Sequence, residues 1–88
     1  MYTGTIRRAL PGFRCTFRRG HFFISGFAEN LRTGKLVYFS CSDVRFFPDR
    51  WYSDILIRTA ESTSDFTGGR NHSCTLETIR EVALTLTQ

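Results

Sequence analysis

Lysine is nearly missing from this chain: Lys35 stands alone beside eleven arginines. Acid is missing from residues 1–28, which hold Arg7, Arg8, Arg14, Arg18 and Arg19 and no Asp or Glu. Residues 29–88 carry seven basic and eight acidic side chains, so the whole excess of +4 sits in the first third. Proline occurs only twice, and no segment is repetitive, which excludes a Pro-rich or low-complexity linker. Long apolar runs are absent as well. The longest is Leu36–Phe39, far short of the roughly 20 residues of a membrane span, and the N-terminus has no apolar signal-peptide region. No membrane partner is expected.

Cysteine is sparse and odd in number. Cys15, Cys41 and Cys74 cannot form the dense, even framework of a small secreted domain, so a reducing cytoplasmic location is expected. Residues 1–88 are enough for one small domain and no more. The 41% hydrophobic and 15% aromatic content, nine Phe included, is that of a folded chain rather than a disordered one.

Hydrophobic periodicity gives an α+β reading: an antiparallel sheet of about four strands, a three-strand meander plus one, with a C-terminal helix packed on one face. Tyr2, Ile6 and Leu10 suit a short helix face or an edge strand, stopped by Pro11-Gly12. Phe13, Cys15 and Phe17 alternate with Arg14, Thr16 and Arg18, the period of a half-buried strand. A tight turn at Arg19-Gly20 would set Phe17 opposite Phe22 and Cys15 opposite Ile24. A three-residue loop ending at Gly34 would return the chain into Lys35–Ser42, whose unbroken apolar run suggests cover on both faces. Pro48 marks a turn, Trp51–Thr59 reads as the fourth strand, and 61–73 as a long polar loop. Leu76, Ile79, Val82, Ala83 and Leu86 share one side of a closing helix, with Ser73 or Thr75 as its cap and Arg80 and Glu81 on its wet side.

In that hairpin the face opposite Cys15 and Phe17 interleaves Arg14, Thr16, Arg18, His21, Phe23, Ser25 and Phe27. With Arg19 beside them, these arginines and rings form the candidate binding surface. Arginine offers a planar fork to carboxylate or phosphate, and aromatic side chains anchor protein interfaces or stack on bases. The adjacent pairs Arg7-Arg8 and Arg18-Arg19 are the first candidates for anion contact. A second candidate is the loop Thr67, Gly68, Gly69, Arg70, Asn71, whose backbone N–H groups could wrap an anion or meet a partner, although it lacks the spacing of a nucleotide phosphate loop. His72 and Cys74 could pair as base and nucleophile near a helix N-terminus, with Asp65 or Glu77 orienting the imidazole. A chain this short leaves little volume for a substrate pocket, so no enzyme is expected. No metal or cofactor is expected either, since His72-Ser73-Cys74 lacks the paired ligand knuckles of a structural zinc site.

The expected function is a small non-catalytic adaptor, regulator or inhibitor that binds another protein through this Arg/aromatic surface. That partner could include a second copy in a homodimer. The alternative is a single-stranded nucleic-acid binding module built on the 14–27 hairpin.

Overall fold

The computed structural model describes residues 2–20, 22–42, 47–63 and 70–88. Helix α1 (Tyr2–Ala9) opens the chain, settling the choice left between helix and strand. Its Ile6 and the following Leu10 are sealed in the core. Pro11 cannot extend it, and Gly12 takes a φ of +86° as the backbone reverses into β1 (Phe13–Arg19).

Strands β1, β2 (Phe23–Asn30), β3 (Leu36–Ser42), β4 (Ile55–Ala60) and β5 (His72–Cys74) follow in spatial order, each antiparallel to the next. The expected meander and C-terminal helix are both present in this α+β fold. The sheet gains a fifth strand that was read as loop, because three residues are too few to show a period of two. The fourth strand begins at Ile55 rather than Trp51. Residues Trp51 and Ser53 are instead held in turns by Phe47 and Arg50 carbonyls, and the Trp51 ring packs against the core.

The β1–β2 register differs from the expected one. Phe17 lies opposite Gly26 and Cys15 opposite Ala28. The turn forms beyond Gly20, whose N–H donates to the Phe23 carbonyl at 2.8 Å. Two further constraints fit this pairing. Gly26 has no room for a Cβ, which would fall on the Thr16 carbonyl, and it lets Phe17 and Phe39 meet edge to face at 5.7 Å. The slip is four residues on the partner strand, an even number, so the paired residues of β1 and β2 keep their predicted faces, whereas Phe22, expected opposite Phe17, lies exposed ahead of β2.

One face holds the core. Ile24, Ala28, Val37, Phe39, Cys41, Ile55, Ile57 and Cys74 line it, and α1 and α2 (Ile79–Leu86) cover it with Ile6, Leu10, Ile79 and Ala83. Helix α2 starts later than expected. Thr75 and Thr78 bond to each other through side chain and backbone and make a turn before Ile79, with Thr78 as the N-cap residue. Arg80 and Glu81 are exposed, as their positions on the helix required.

The β2–β3 loop is one residue longer than expected. Residues Leu31–Gly34 bridge Asn30 and Lys35, with Gly34 at φ +76° and its N–H bonded to the Asn30 carbonyl at 2.7 Å. This loop grips the end of α2. The buried Asn30 Nδ2 donates to Thr87 Oγ1 at 2.9 Å, Thr87 Oγ1 donates to the Ala83 carbonyl at 2.7 Å, and Thr33 Oγ1 donates to the Thr87 carbonyl at 2.8 Å. Lys35 Nζ reaches the Gln88 carbonyl oxygen.

Candidate functional site

Helices α1 and α2 both lie on the core face, so among the described residues the opposite face of the sheet carries no helix. Along β1 and β2 that face presents Arg14, Thr16, Arg18, Phe23, Ser25 and Phe27. Register carries it across to Tyr38 on β3 and Arg58 on β4. The sequence pattern therefore placed Arg14, Arg18, Phe23 and Phe27 together correctly. Arg19 falls by alternation on the other side and is exposed at the end of β1. His21 lies outside the described residues.

The rings on this face differ in what they offer. Phe27 is buried, only 6% exposed, and meets Tyr38 edge to face at 5.5 Å. The Arg58 guanidinium sits 4.2 Å from the Tyr38 ring centre and covers that ring by a cation–π contact. Phe23 is the exposed aromatic of the face at 43%, and Phe22 at the hairpin tip is 50% exposed. Phe23 folds its ring over Gly20, where a Cβ would strike it.

Two adjoining open depressions of about 320 Å³ each share Arg18 and Ser25. One is bounded by Thr16, Phe27 and Thr63, and the other by Arg19, Gly20, Phe23 and Tyr38. Arg14 faces Glu29 directly across the strands, with 3.9 Å between charged atoms, an exposed pair worth about 0–1 kcal/mol. Tyr38, Arg58 and Phe22 were missed in the sequence reading. The unbroken run 36–39 hid Tyr38's side, whereas the structure alternates sealed Val37 and Phe39 with half-buried Leu36 and Tyr38.

Of the second candidate, Arg70 and Asn71 are among the described residues. Thr67, Gly68 and Gly69 lie outside the described residues. Arg70 is exposed, and Asn71 Oδ1 accepts a long 3.4 Å bond from an Arg58 guanidinium nitrogen. Strand β5 and a turn lie between this loop and the N-terminus of α2, where His72 and Cys74 were expected. The same displacement changes the chemistry of Cys74. It sits on β5 away from any helix start, and burial pushes its thiol up to about 11, opposite to the fall that activates a nucleophile. Cys15 is raised by burial too, against a smaller opposing pull from Arg7. Among the described residues, no three His, Cys, Asp or Glu side chains gather as a metal site.

A groove of about 380 Å³ runs between Trp51, Tyr52 and Leu76, where the Leu76 N–H bonds the Tyr52 carbonyl at 2.7 Å. No described helix is long and apolar enough to cross a membrane. No family model, curated protein or solved structure matches this chain.

Proposed function

We propose that this chain is a small non-catalytic adaptor, regulator or inhibitor that binds another protein through the tip and helix-free face of the β1–β2 hairpin. The observation that carries this reading is the exposed pair Phe22 and Phe23 at the tip, set beside exposed Arg18 and Arg19. Aromatic anchors next to arginine are the residue types that concentrate binding energy at protein interfaces. Single-stranded nucleic acid is less well served. It needs successive rings open to stacking, and here Phe27 is sealed while Tyr38 is already covered by Arg58. Cys15, Cys41 and Cys74, all buried and none in a disulfide, suit a reducing, cytoplasmic setting.

The test compares the wild type with Phe22→Ser/Phe23→Ser and Arg18→Ala as bait in nuclease-treated lysate of the source cells. The wild type is expected to retain a protein that both variants lose. Retention that vanishes with nuclease treatment would favour the nucleic-acid reading. So would tight binding of random single-stranded oligonucleotide that falls tens-fold between about 50 and 200 mM salt. Equal capture by wild type and variants would remove the tip from the mechanism.

A further inference from the structure

Among the described strands β1 is an edge, paired with β2 alone. The Gly20 N–H bond to the Phe23 carbonyl and the Leu31 N–H bond to the Gly12 carbonyl fix the phase of the ladder. Even-numbered residues of β1 direct their backbone groups to β2, and odd-numbered ones direct theirs outward. Cys15, at 6% exposure, is closed off under α1. Phe17 is half-buried and Arg19 exposed, and among the described residues no backbone bond reaches either from outside the strand. The edge is therefore open from Phe17 to Arg19, just behind the aromatic tip.

Charge decides what can pair there. Arg14 and Arg18 flank this stretch on one face, Arg19 lies on the other, and the Arg7 guanidinium stands 5.0 Å over the Phe17 ring. Among the described residues, Glu29 pairs with Arg14 across the strands. A second copy pairing antiparallel about Arg18, through the open backbone of Phe17 and Arg19, would set Arg18 against its own copy, a like-charge arrangement that destabilises a sheet. The arginines that guard the edge against self-pairing favour an acidic strand.

We propose that an extended acidic segment of the protein partner adds to the sheet along β1, bonding the backbone of Phe17 and Arg19 and placing carboxylates beside the arginines. This deepens the protein-binding reading and rests on it. The probe is a fluorescent, end-blocked peptide of alternating Glu and Val. Two controls accompany it: a Lys/Val peptide, and the Glu/Val peptide methylated on every valine nitrogen, the nitrogens that face β1 when the glutamates lie beside Arg14 and Arg18. The unmodified acidic peptide is expected to bind about ten-fold more tightly than either control, because the methylated one keeps its charge but loses the backbone bonds. Arg18→Ala should weaken binding several-fold, and Arg19→Pro, which deletes the outward N–H, should weaken it about ten-fold more than Arg19→Ala does.

Equal binding of the methylated and unmodified peptides would overturn strand addition, as would a dimer of this chain that Arg19→Pro dissociates. If those results accompany nuclease-resistant capture that the tip variants lose, the protein-binding reading survives without the edge. If capture fails as well, the reading itself falls.

Discussion

A side chain at position 26 would meet the Thr16 carbonyl oxygen and crowd the Phe39 ring. The glycine stands opposite Phe17 on one side and Phe39 on the other, and the edge-to-face contact of those two rings crosses above it. Glycine in a strand interior is ordinarily a weakness. Here it fixes which residues of β1 and β2 can pair, and thereby which side chains reach the tip. Gly26→Ala should lose about 1–3 kcal/mol of stability in a urea titration, as overpacked cores do. An unchanged midpoint would mean that the register is set elsewhere.

At the scale of elements, the two short helices depend on what holds them. Helix α2 is eight residues long, carries the β-branched side chains Ile79, Val82 and Thr85, and is too short to persist alone. Ile79 and Ala83 anchor it to the sheet, while Asn30 and Thr87 pin its last turn from the β2–β3 loop. Asn30→Ala leaves the buried Thr87 hydroxyl without its donor and the Arg32 N–H without its Oδ1 acceptor, 2.9 Å away. The expected loss is about 1–3 kcal/mol, with amide exchange accelerated first in α2. A stable α2 in that variant would show that apolar packing alone suffices.

Much of this was legible in residues. Alternation through Phe13–Arg18 and the apolar spacing of Leu76–Leu86 placed the hairpin faces and the closing helix. Those signals report which side a residue takes, and sides are preserved by an even slip in register. The turn itself was not legible, because Arg19-Gly20 looks as good a turn as the one formed beyond it. Nor was β5, whose three residues pair only because β4 offers a template. The polar clamp between Asn30 and Thr87 joins positions too distant in sequence for any local pattern to reveal.

Over the whole molecule, the charge asymmetry of the sequence becomes a spatial one. The acid-free first third folds into α1, β1 and the start of β2, so its arginines collect at one edge of the sheet and at the hairpin tip. The helices pack their apolar faces against the core side of the sheet, while Phe22 and Phe23 are exposed at the hairpin tip, where the proposed partner would meet them. The most direct test is residue-resolved amide hydrogen exchange of the protein, alone and with the acidic Glu/Val peptide. Arg14, Thr16 and Arg18 should be protected in the free protein while Phe17 and Arg19 exchange quickly, and the peptide should slow Phe17 and Arg19 selectively. Protection of all five without peptide, or no slowing of Phe17 and Arg19 at saturating peptide, would contradict a partner strand docking on β1.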